Sequence, residues 1–198
     1  MEYFFGNNSV YLSAHFILLN VETNATMVTP ASVGVRYGLL LAVSTVLIDF
    51  LVRVAGFSFM TFGIASGLGT VLVSVVWLVL AHAAFKRANG NLMSFGQGLT
   101  IAIVMLLISS IAAGLFNYVY LHFIDPDFLE RMKTGMVEFM ERNNVPDEQI
   151  EKSTVRLGEM NVGIGKALLN GLLGGLGTGL IMGSIVSIFT KRKSPEFE

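Results

Sequence analysis

Asp49 and Arg53 are the residues in this chain most able to do chemistry. They stand one helical turn apart at the end of the apolar run V-R-Y-G-L-L-L-A-V-S-T-V-L-I-D-F-L-V at 35–52. A charge at the centre of a membrane helix costs about 2.5–3.5 kcal/mol on insertion scales. An i,i+4 ion pair near the interface lowers that cost, and this is the first reading of the pair. The second is a proton or cation site at Asp49. A carboxylate relay needs a second buried acid, and the remaining apolar stretches contain none. Asn117, Asn170 and Gln97 are uncharged polar groups within apolar segments. They are expected to hydrogen-bond between helices, each contributing about 0.6 kcal/mol. Asp49, Arg53, Asn117 and Asn170 therefore form the candidate intramembrane polar site.

Other chemistries find little to work with. The chain has no cysteine, so disulfides, zinc–thiolate sites and thiol nucleophiles are excluded together. His15, His82 and His122 are too scattered to ligate a metal. His82, one turn before Lys86, is expected to be interfacial and solvated. His122 lies near Asp125, where a pH-sensing pair is conceivable, although capping explains Asp125. There is no P-loop, dinucleotide fingerprint, H-E-x-x-H or G-x-S-x-G. No cofactor, metal or catalytic residue is expected, and the chain is read as not an enzyme. A net charge of −1 gives no basis for nucleic-acid binding.

The elements that must position these residues follow from composition. Of the 198 residues, 53% are apolar and 14% charged, and a soluble domain carries about 25% charge. A chain this short cannot hide that much apolar surface in one core, whereas lipid can. Four stretches reach the length of about 20 residues that a spanning helix needs: about 35–56, 64–85, 98–123 and 163–189. The predicted fold is all-α, an integral membrane bundle of four transmembrane helices at 35–193. An extramembrane helical hairpin occupies 124–162, and 194–198 form a tail. F-S-F-M-T-F at 57–62 should make a tight turn with rings at the interface. Asn89-Gly90 reads as a turn, and Ser94 with Gln97 as a capping box.

In the hairpin, Asp125-Pro126-Asp127 reads as a helix start with Asp125 as N-cap. Phe128, Leu129, Met132, Met136, Phe139 and Met140 share one face. That face packs on the end of the bundle; a membrane surface or a partner protein are the alternatives. Asn143-Asn144 breaks the helix, and a second follows Pro146. Residues 1–34 read as a poorly ordered N-terminal extension without signal-peptide features, and Met27 is an alternative natural start.

The fourth span carries a small-residue series at spacing four, the pattern of a glycine zipper: Gly163, Ala167, Gly171, Gly175, Gly179, Gly183 and Ser187, widened by Gly174 and Gly177. In lipid, close backbone approach decides helix packing, and small residues permit it. Packing within the bundle is the first reading. Homodimerisation and a glycine-lined path are the alternatives. Lys166, one turn into this span, is expected to snorkel to the interface.

Bases in short loops mark the cytoplasmic side. Arg36, Lys86, Arg87, Lys191, Arg192 and Lys193 fall on one side of four spans, which predicts cytoplasmic termini in an inner membrane.

The strings V-R-Y-G-L-L-L at 35–41, S-F-G-Q-G at 94–98 and Y-L-H-F-I-D-P-D-F at 120–128 precede an acidic, Met-rich helical stretch, a Gly-rich span and a basic tail. This layout resembles the bacterial membrane proteins called domain of unknown function 4199, found mainly in Bacteroidota, over about residues 30–193. The resemblance implies a four-helix inner-membrane protein and no particular activity. The expected role is association: an accessory or scaffold subunit, or a homo-oligomer, within the lipid bilayer. The alternative is a small channel or transporter with a path near Asp49 and Asn170.

Overall fold

The computed structural model describes residues 28–158 and 163–192. The expected extension over residues 1–27, the alternative start at Met27, Lys193 and the tail at 194–198 lie outside the described residues.

Four long helices carry the fold: α1 (Pro30–Val54), α2 (Phe59–Ala88), α3 (Phe95–Val119) and, last in the chain, α6 (Ile164–Thr190). A single π-helical turn, Tyr120–Ile124, prolongs α3. Two short helices, α4 (Phe128–Arg142) and α5 (Asp147–Gly158), form the hairpin before α6. All four long helices are long and apolar enough to cross a membrane. At 1.5 Å per residue each exceeds the roughly 30 Å hydrocarbon thickness. Their outward faces are bare hydrocarbon, with Leu72 65% and Phe189 83% exposed. This is the architecture of a multi-pass membrane protein.

The helix ends correct several expected boundaries. α1 begins at Pro30, so residues 30–34 belong to the first span. Thr29 and Ser32 form a reciprocal capping box around Pro30 at the first helical position, a signal hydropathy does not register. α2 already includes Phe59–Phe62, which leaves Ala55–Ser58 as the turn, with Gly56 at φ +66°. Ser94 and Gln97 make the expected box at the head of α3. Asp125 does not cap α4. Asp127 stands at the N-cap position without a side-chain bond, because the Asp125 carboxylate is held by the Arg131 guanidinium and the Tyr120 hydroxyl.

α3 is the central helix, flanked by α1 and α6, and the contacts are close because small residues face it. A Cβ on Gly38 would lie 3.0 Å from the Met105 Cα, and one on Gly34 2.8 Å from the Val104 Cβ. α2 packs mainly on α1, through Trp77, which donates to the Ser44 hydroxyl at 3.0 Å and meets Tyr37 edge-on. It reaches the centre of the bundle only toward its C-terminus, where Leu78, Ala81, His82 and Phe85 are buried. The end of the bundle that holds Arg36, Lys86 and Arg192, here the basic end, is therefore closed. Reciprocal backbone bonds between Met93 and Arg192 (2.9 and 2.8 Å) seal it. At the opposite, elbow end α2 stands away from α3 and α6. There α4 lays its apolar face on the bundle, with Phe128 against Phe62 (5.4 Å) and Phe139 near Phe59 (6.5 Å).

Candidate functional site

The elbow end positions a guanidinium among three aromatic rings. Asp49 and Arg53 lie one turn apart on α1, so both point to the same side of the helix. Arg53 Nε donates to Asp49 Oδ2 at 3.0 Å, and its Nη2 lies 2.9 Å from the same oxygen. Nη2 also donates to the Asn117 amide oxygen on α3 at 2.9 Å. The side chain of Arg53 is only 8% exposed. Burial of this charge is compensated on three sides. Phe116 and Tyr120 come from the end of α3, and Phe128 from the head of α4. The centroids of their rings lie 5.6, 4.6 and 4.8 Å from the guanidinium carbon. Desolvated cation–π contacts of this kind contribute about 2 kcal/mol each.

The π-helical turn makes the cage possible. The Asp125 amide donates to the Tyr120 carbonyl at 2.8 Å, five residues back, and the wider turn comes where Tyr120 and Leu121 are buried in a cluster with Phe62 of α2 and Phe128 of α4. Such turns recur at functional sites. The fourth side of the guanidinium is not compensated: Nη1 is buried with no hydrogen-bond partner. The Arg53 side chain also lines a cleft of about 400 Å³ between the α1–α2 turn and α4. Asp125 holds the pKa of the Arg131 guanidinium, at the far edge of this cleft, above its ordinary value by hydrogen bonding to it.

On the other side of Asp49 lies a crevice of about 230 Å³ between the splayed half of α2 and helices α1, α3 and α6. Hydroxyls line it, among them Thr45, Ser74, Ser109 and Thr178. The Thr45 and Ser109 hydroxyls meet at 3.0 Å and mark its inner end. Leu41, Leu78 and Met105, all at most 1% exposed, belong to the buried core that closes the bundle beyond.

The structure thus brings together Asp49, Arg53 and Asn117, and separates Asn170 from them. Asn170 is exposed on the outward face of α6 and does not line the crevice. The small-residue series divides as well. Ala167, Gly171, Gly175, Gly179, Gly183 and Ser187 face α3, where a Cβ on Gly175 would lie 2.8 Å from the Leu107 Cα and one on Gly179 3.0 Å from the Ile103 Cα. Gly163 is exposed at the N-cap of α6. It, Gly174 and Gly177 have nothing within 4 Å of a would-be Cβ.

One histidine expectation is corrected, and one alternative is not realised. His82 is fully buried rather than solvated. Its Nε2–H donates to the Gly98 carbonyl at 3.0 Å, and Nδ1 shares a 2.7 Å hydrogen bond with the Thr190 hydroxyl. It therefore ties α2 to both α3 and α6. His122 does not pair with Asp125; its Nδ1 bonds the Tyr118 carbonyl at 2.9 Å and its ring stacks on Tyr118. Sequence reasoning missed the aromatic cage. The spacing of Phe116 and Tyr120 around Asn117 was its one local signal, while Phe128 arrives from another element. Lys166 is exposed at the elbow end. Among the described residues no group of three His, Asp or Glu is placed to hold a metal.

No curated protein and no solved structure matches the chain. A family model described as protein of unknown function (DUF4199) matches residues 34–192, from the first span to the backbone bridge at Arg192, and the chain belongs to that family.

Proposed function

We propose that this protein is a non-enzymatic subunit of a bacterial inner membrane that acts by association, through the outward face of α6, with a second copy or with another membrane protein. The observation that carries this reading is Asn170. Its amide is exposed on the same face as Gly174 and Gly177, and both glycines have open space above them. An amide facing hydrocarbon without a partner is costly, and glycines beside it allow another helix to approach closely enough to satisfy it. The opposite face of α6 is already occupied by α3, so the outward face is the one left for a partner. Arg36, Lys86, Arg87 and Arg192 at the basic end support a cytoplasmic position for the start of α1 and the end of α6. The non-catalytic reading rests on the sequence, which has no cysteine and no catalytic motif.

A photo-reactive residue at Ile181, on the same face as Asn170 and Gly177, tests the association in native membranes. Adducts to a second copy or to another membrane protein, absent when the probe stands at Leu72 on α2, are expected. Lipid adducts alone from Ile181 would sink the reading.

The hydroxyl-lined crevice beside Asp49 favours a second reading, a small channel or transporter. Asn170 has no part in it, so a path would run along Thr45, Asp49 and Thr178.

A further inference from the structure

We propose that the cleft beside Arg53 binds the phosphate headgroup of an anionic phospholipid, with the glycerol and upper acyl chain lying on its aromatic wall. The argument starts from the one donor in the cage left without a partner. Arg53 spends Nε and Nη2 on Asp49 and Asn117. Nη1, buried and unpaired, belongs to a side chain that lines the cleft. A buried guanidinium N–H without an acceptor is a standing cost that an incoming anionic oxygen removes.

Charge supports an anion. The wall carries three guanidiniums, Arg53, Arg131 and Arg142, and one carboxylate, Glu138. The acids that hold Arg53 and Arg131, Asp49 and Asp125, do not line the cleft. The Arg142–Glu138 pair is loose at 3.6 Å and exposed on both sides. A phosphodiester entering here meets guanidinium edges suited to phosphate oxygens, because two of the three paired carboxylates stand outside the cleft.

Position and lining select a lipid over a free anion. Arg53 lies one residue from the end of α1, the depth at which headgroups sit. Phe57, Phe59 and Met60 line the same cleft. Free phosphate gains nothing from those side chains, whereas a glycerol backbone and acyl chain bury them. A volume of about 400 Å³ falls in the usual range for small-molecule sites of about 300–1,000 Å³.

The test is native mass spectrometry of the full chain released from detergent micelles, with phosphatidylglycerol and phosphatidylcholine supplied in equal amounts. One bound phosphatidylglycerol, with little phosphatidylcholine, is expected. Arg53→Gln can fail by unfolding, so the deciding variant is the double change Arg131→Gln, Arg142→Gln, whose side chains are 57% and 80% exposed. It should retain phosphatidylglycerol about tenfold less while melting like the parent protein. Equal retention of the two lipids, no retained lipid, or undiminished phosphatidylglycerol on the double variant would overturn the proposal. Displacement by millimolar inorganic phosphate would also overturn it, by assigning the site to a soluble anion.

Discussion

Arg53 on α1 and Asn117 on α3 are joined by a 2.9 Å hydrogen bond from the guanidinium to the amide oxygen, 64 residues apart in sequence. The bond fixes the elbow ends of these two helices against each other. Asn117 also supplies a neutral acceptor for a cation whose other hydrogen-bond partner among the described residues, Asp49, lies on its own helix.

Asn117→Leu should therefore destabilise the protein by about 1–3 kcal/mol, the cost of leaving a buried charged donor unpaired. Asp49→Asn should cost more, because it leaves the buried cation without its counter-charge. Thermal melts in detergent check both. If Asp49→Asn melts at the parent temperature while Asn117→Leu does not, the ion pair is not what retains the charge.

The α3–α6 contact predicts opposite outcomes for neighbouring glycines. A Cβ at Gly175 meets the Leu107 backbone at 2.8 Å, so Gly175→Ala must push two helices apart, at about 1–3 kcal/mol. Gly174 faces open space, so Gly174→Ala should be neutral or stabilise by up to about 1 kcal/mol through helix propensity. The two melting temperatures should move in opposite directions or by very different amounts. Equal losses would mean that α6 is rotated from the position described.

His82 holds the basic end together, and a double-mutant cycle measures how strongly. His82→Leu removes bonds to Gly98 and Thr190 and should cost about 1–3 kcal/mol. Thr190→Val should cost less, since the Thr190 hydroxyl also bonds the Val186 carbonyl of its own helix. The coupling between the two should be about 0.6 kcal/mol and at most about 1.7 kcal/mol. A coupling of zero would show that the 2.7 Å contact contributes nothing.

The spans were legible in the sequence because an unbroken apolar run longer than the bilayer is thick has one structural solution. Their rotations were harder to read. A helix that is apolar all round has no amphipathic stripe to set its phase, so hydropathy alone groups Asn170 with Asp49, whereas the structure turns it outward. The small residues do carry that information: Gly171, Gly175 and Gly179 face α3, and Asn170 sits about 100° from Gly171 around the helix. The α1 counterpart, Gly34 and Gly38, gave too short a series to stand out. The burial of His82 was hidden for another reason. The nearby Lys86 suggests water, but the Met93–Arg192 bridge that closes this end joins residues 99 positions apart. The ion pair at Asp49 and Arg53 was readable from i,i+4 spacing, whereas its cage required the return of the chain through Phe128.

The crevice beside Asp49 yields the last prediction, because the buried core closes the bundle on its basic side. Thr45 is 5% exposed and bonded to Ser109, and the buried core of Leu41, Leu78 and Met105 lies beyond it. The chain has no native cysteine, so single cysteines report without background. An impermeant thiol reagent reacts where water reaches. Supplied from the elbow side, it should label Asp49→Cys, which lines the crevice one turn nearer that end than Thr45. It should leave Thr45→Cys unlabelled behind the Ser109 contact, and Asn170→Cys unlabelled in lipid. Labelling at Thr45 from either side would show water passing the point where α1 and α3 close. That result would favour a conducting path over a protein that works by association.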